Sequence, residues 1–242
     1  MAQGMARGIG LAAALAAALL VMPAGAQAQD EAAPLPPTGA AAGFVPPPRD
    51  DAGYRTPNRD LTPAETTWHL RVALNVAALG CRGPEEAATV AAYNAVLQVE
   101  GPALAAAMAA TEGGFRTRQG AAWQAAYDDE MTRLYNFWAQ PPAQAGFCAA
   151  ARAVLRESAA VAPADFAGFA AGALPRLEAP FVAFFAAYDG YRAELAAWQA
   201  RRSSVVIATA AAAPIGVAPT AVAAVAPAMA PVAPARFVGP QP

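Results

Sequence analysis

The stretch TPAETTWHLRVALNVAALGC, residues 62–81, decides how the chain is read. Thr62, Pro63 and Glu65 have the pattern of a capping box with proline at the first helical position, where its missing N–H is no loss. Trp68, Val72, Val76 and Leu79 make one apolar row at steps of three and four, and Leu70, Leu74, Ala77 and Cys81 make a second beside it. Only Arg71, Asn75 and Arg82 form a polar line. An apolar surface that wide needs more than one covering partner. The segment therefore predicts a helix near the middle of a bundle, with Cys81 at its inward end.

Downstream, the same punctuation recurs. Gly83-Pro84 ends this helix and opens a second, running to about Glu100 with Val90, Tyr93 or Asn94, and Leu97 inward. Gly101-Pro102 opens a short third over Leu104–Thr111 with Met108 inward, and GGFRTRQG, residues 113–120, reads as a loop. A fourth helix, about Ala121–Ala139, carries Trp123, Tyr127, Met131, Leu134 and Trp138 in one stripe. A fifth, about Ala143–Ala160, turns Phe147, Cys148 and Leu155 to the core. Pro163 starts a further helix through Phe166 and Phe169 that Pro175 and Pro180 interrupt or kink. Phe181, Phe184, Tyr188, Tyr191, Leu195 and Trp198 then define a long last one. No strand-like alternation is present. The fold class is all-α, a disulfide-stapled bundle of about six to seven helices flanked by disordered arms.

The flanks differ from this domain in composition. Residues 1–28 read as a secretory signal peptide, with Arg7 before an apolar run of about 14 residues and small residues at the cleavage site, too short to span a bilayer. Residues 29–59, rich in proline and small residues, read as a disordered linker. The bundle takes 60–202, and 203–242 reads as an Ala/Pro-rich disordered tail, whose prolines at 214, 219, 227, 231 and 234 argue against a membrane span. No integral span is expected after signal cleavage. Alanine fills 73 of the 242 positions, which raises helix propensity while adding little bulk to a core. All sixteen basic residues are arginine, and a net charge of −2 with no basic cluster excludes nucleic acid as a main partner. Tyr-containing Ala-Ala repeats at 91, 125 and 186 are spaced unevenly and define no solenoid.

Export gives the two cysteines their meaning. In an oxidising compartment Cys81 and Cys148 are an even pair with no CxxC spacing, so a disulfide is the default over a catalytic thiol. Closing a loop of that length contributes at most roughly 4 kcal/mol in the chain-entropy picture.

Little remains to carry chemistry. His69 is the single histidine, which removes most metal and triad schemes, so no metal and no cofactor are expected. With Glu65 at i−4 to orient it, His69 is a possible acid/base pair member, weighed against a boundary histidine. Arg116 and Arg118 between glycines, joined by Arg71, are a possible anion-binding set. Asp128, Asp129 and Glu130 read as a solvated face reaching Arg133. The aromatic stripes, Trp123, Tyr127, Phe184 and Tyr188 among them, either fill the core or line an apolar ligand cavity.

The run Trp68-His69-Leu70-Arg71, Leu74-Asn75-Val76-Ala77-Ala78-Leu79 and Cys81, with the later Phe147-Cys148, resembles a group of uncharacterised exported bacterial helical proteins. The resemblance covers about Thr62–Tyr191 and implies an exported helical domain with no assigned activity. The expected role is thus a periplasmic or secreted, non-enzymatic interaction or structural module of the cell envelope, contacting an envelope protein or cell-wall component. A carrier of a small apolar or anionic ligand stands second, and an envelope enzyme using His69 third.

Overall fold

The computed structural model describes residues 31–211, with side chains to 204. The signal peptide and most of the C-terminal tail lie outside the described residues. Among them are six α-helices: α1 (Pro63–Gly80), α2 (Glu86–Val99), α3 (Gly101–Gln119), α4 (Trp123–Trp138), α5 (Gln144–Ser158) and α6 (Phe166–Ala211). The main compact unit spans Asp30–Arg201.

The start of α1 has the expected chemistry. Thr62 Oγ1 accepts from the Glu65 N–H at 3.2 Å, and Glu65 Oε2 accepts from the Thr62 N–H at 2.9 Å. The helix touches α2, α3, α4 and α5, and Leu70, Val72, Ala73, Leu74 and Ala77 are wholly buried. Its second apolar row faces inward together with Val72 of the first. Leu79, from the first row, is 64% exposed, because the partners do not reach round the last turn. Val90 and Met108, expected inward, are also exposed; Thr89 and Ala107 take the buried positions beside them.

Cys81 and Cys148 are joined by a disulfide that ties the end of α1 to the first turns of α5. Below it lies an aromatic core. Trp138 and Phe147 stack at 5.4 Å, and Phe181 meets Phe137, Trp138 and Phe147 at 4.8, 5.4 and 5.5 Å. In an alanine-rich chain these rings supply the volume that aliphatic side chains supply elsewhere.

Three expectations are corrected. First, residues 113–120 are not a loop: α3 continues through Gly113 and Gly114 and stops only at Gly120, whose φ is +55°. Two interior glycines cost about 1 kcal/mol each relative to alanine. Packing of α3 on α1 and α4 offsets this, helped by the Glu112–Arg116 ion pair and the Phe115–Tyr127 ring contact. Second, α6 runs unbroken through Pro175 and Pro180. Pro180 is used for close approach: a Cβ on Gly146 of α5 would lie 3.0 Å from its ring. By length and composition α6 could also cross a bilayer, yet its Leu177, Phe181 and Phe185 are wholly buried in the core. It also carries helix to Ala211, into the start of the expected tail.

Third, the described part of the expected linker, 31–59, is an ordered strap. Strands β1 (Arg49–Asp50) and β2 (Gly53–Tyr54) pair antiparallel, with Arg49 opposite Tyr54. Phe44 sits against Phe184, Phe185 and Tyr188 at 5.1, 6.1 and 5.0 Å. Tyr54 is buried and donates its hydroxyl to Asp189 at 2.8 Å. At the beginning of the strap, the Glu31 carboxylate pairs with Arg201 and its carbonyl accepts from Trp198 Nε1. Two aromatic anchors and these polar ties suffice because prolines reduce the freedom the segment must lose.

Candidate functional site

Where the strap passes the first turns of α1, it closes one side of a polar cleft of about 390 Å³. Arg59, Asp60, Glu65, His69, Phe115, Arg118 and Glu130 are in its walls. The capping box fixes Glu65, one helical turn places His69 beyond it, and the extension of α3 brings Arg118 across, with its guanidinium 2.9 Å from Glu65 Oε1. Asp60 enters with φ +57°, a left-handed conformation that aspartate tolerates better than most residues.

His69 is 2% exposed, and its orienting partner is Asn58, not Glu65. Its Nδ1 lies 3.0 Å from Asn58 Oδ1. The Asn58 amide is fixed in turn, since Nδ2 donates to Glu178 Oε1 at 3.0 Å. Thr56 Oγ1 donates to the same carboxylate oxygen. An amide oxygen only accepts, so Nδ1 carries the imidazole proton and Nε2 keeps a lone pair. Burial drives the His69 pKa down to about 4, although Glu130 and Glu65 pull it the other way. The ring is neutral at ordinary pH. Glu65 is held below the usual carboxylate range: burial opposes this, but hydrogen bonds from the Thr62 N–H and hydroxyl and from Arg118 outweigh it.

His69, Glu65 and Arg118 therefore converge in one place. The other two arginines do not join them. Arg71 donates to the Tyr135 hydroxyl at 3.0 Å and lies over the Trp68 ring, while Arg116 pairs with Glu112 and covers Trp123. Arg118 is occupied by Glu65, and Arg59 by Asp50 and the carbonyls of Gly53 and Tyr54. Two guanidiniums face three carboxylates here, so the expected anion-binding set does not form a clamp. Among the described residues no group of three or more His, Cys, Asp or Glu is placed to hold a metal ion. Glu130 pairs with Arg133 on the α4 surface, as its spacing predicts.

Trp123, Tyr127, Phe184 and Tyr188 fall into two aromatic groups and do not line a common cavity. Phe184 and Tyr188 are covered by Phe44, whereas Tyr127 meets Phe115 and Trp123 lies under Arg116. Thr56 and Asp60 in the cleft wall, and Asn58 and Glu178 behind His69, are the residues that sequence reasoning missed. The first three lay in or beside a segment read as linker, and Glu178 had no local pattern to single it out.

Another recessed surface runs between α2 and α5. Two adjoining clefts, of about 200 and 80 Å³, share Ala92 and Leu155 as walls. Arg152 stands at one end of the pair, Glu100 at the other, and Val99, 55% exposed, borders the smaller cleft. No protein-family model, no curated protein and no solved structure matches the chain.

Proposed function

We propose that the protein is an exported, non-enzymatic interaction or structural module of the cell envelope, periplasmic or secreted. The observation that carries this reading is the α2–α5 groove, where apolar walls and the exposed Val99 end on a carboxyl group without a partner. Recessed apolar surface with one unmatched polar group has the makeup of a partner site. The cystine supports an oxidising compartment, and the resemblance to exported helical proteins points the same way. To test the reading, the immobilised full chain is exposed to an envelope fraction, beside a Val99→Glu variant of equal melting temperature. A partner held by the wild type and lost by the variant is the expected result. An empty capture overturns the interaction reading.

An envelope enzyme using His69 is the second reading, favoured by the convergence of His69, Glu65, Glu130 and Arg118 in one cleft. Against it stand the low basicity of the ring and the engagement of Glu65 and Arg118 with each other. If His69→Gln abolished turnover of an envelope ester or glycan with folding unchanged, the enzyme reading would take first place. A carrier has less support, since an anion would enter a carboxylate-rich cleft.

A further inference from the structure

Glu100 occupies the corner between α2 and α3. Its N–H donates to the Val96 carbonyl, and its own carbonyl accepts from the Leu104 N–H. The side chain turns inward, 2% exposed, and neither carboxylate oxygen has a hydrogen-bond partner. The N–H groups opening α3 do not reach it. No salt bridge to it is formed among the described residues, and burial pushes its pKa upward. A buried carboxyl left in this condition is costly, and natural chains rarely retain one without a use.

This carboxyl forms part of the wall of the 80 Å³ cleft, beside Ala92, Val96, Val99, Leu155 and Ser158. Ser158 Oγ gives its only proton to the Leu155 carbonyl at 2.8 Å, so it too has only lone pairs to offer. With Glu100 ionised, as it would be beside a bound cation, the lining side chains present three oxygen acceptors and no donor, set in aliphatic walls. We propose that this cleft binds a primary alkylammonium group, the chemistry of a lysine side chain on a partner or of a free aliphatic amine. The proposal deepens the interaction reading by naming what the groove recognises.

An ammonium group matches the site atom for atom, having three donors and no acceptor. A guanidinium brings five donors and would leave some unmatched. A calcium ion needs six to eight oxygens. At about 30 Å³ for each water-sized group, the cleft takes the ammonium head and about two methylenes, which the alanine, valine and leucine walls accept. The sequence contains no lysine, so none of its own side chains, nor those of a second copy, supplies the group.

The test is a titration of the full chain with n-butylamine, followed through the backbone amides of Ala92, Val99 and Ser158 by NMR and by calorimetry in two buffers. Saturable shifts with a heat of binding are expected, and the two buffers report any proton exchanged with Glu100, whose pKa burial raises. The neutral 1-butanol should give no such shifts. Glu100→Gln should weaken amine binding at least about tenfold, and Ser158→Ala, which keeps the carboxyl, by a smaller factor. Nα-acetyl-lysine-N-methylamide binding as tightly as butylamine identifies a protein lysine as the occupant; butylamine binding alone identifies a free amine. No saturable shift, or equal binding by Glu100→Gln, overturns the proposal. If that variant does not fold, undiminished binding by Ser158→Ala together with equal binding of 1-butanol overturns it instead. Envelope capture undiminished by Glu100→Gln would leave the interaction reading standing and remove this site from it.

Discussion

Acidification should weaken the fold through His69 before any carboxylate becomes decisive. In the folded chain the ring titrates near 4, and in the unfolded chain near its ordinary 6.5. Between those values the unfolded state binds a proton that the folded state refuses, so stability falls as the pH is lowered across this window. The full displacement is worth about 3.4 kcal/mol, with a slope approaching about 1.4 kcal/mol per pH unit near pH 5. Glu65, held low, loses its own contribution at more acidic pH, and Glu100, held high, works in the opposite direction. A His69→Gln variant separates these. Glutamine can donate to Asn58 as the imidazole does but does not titrate, so the wild-type-minus-variant difference isolates the ring. Urea denaturation at pH 7, 6, 5 and 4 is the assay. The wild type should lose about 3 kcal/mol more than the variant between pH 7 and 4. Parallel pH profiles would refute the reasoning, because they would mean that the ring protonates without leaving its buried place.

Reduction of Cys81–Cys148, which encloses a separation of 67 positions, should cost at most about 4 kcal/mol. At about 2–4 °C per kcal/mol for a domain of this size, a calorimetric melting temperature lower by about 10 °C is expected, and a fall under about 3 °C would contradict the staple. Phe44→Ala should remove about 2 kcal/mol, below the usual range for a fully buried ring because Phe44 is half-buried. Hydrogen exchange should locate that loss in 31–59 first; uniform acceleration through α1 would show that strap and bundle unfold together. Gly146→Ala should destabilise the protein although alanine is the better helix former, since its methyl would meet the Pro180 ring. A raised melting temperature would contradict that close approach.

Where the sequence was legible, several local signals agreed. Thr62, Pro63 and Glu65 marked one helix end through three independent features, and the inward turn of Cys148 followed from the stripe it shares with Leu155. Where it was not, tertiary contact overrode local preference. Gly113 and Gly114 look like a break until Phe115 and Arg118 find Tyr127 and Glu65. The strap has no periodicity, so only its partners on α6 reveal that it is ordered. The cleft was half visible: His69 and Glu65 could be paired by spacing, but the group that orients the ring, Asn58, depends on Glu178, 120 positions away. Glu100 was equally hidden, since at a helix corner it reads as an ordinary polar residue until its missing partners are counted.

The contact between Glu31 and Arg201 brings the two ends of the compact unit together. A pull applied through those ends would first open the Glu31 contacts to Trp198 and Arg201, then peel the strap off α6 one anchor at a time. Phe44 would yield before Tyr54, and the bundle behind the disulfide would bear load only afterwards. The strap would then act as a mechanical fuse, extending at low force while the cystine-tied helices stay folded.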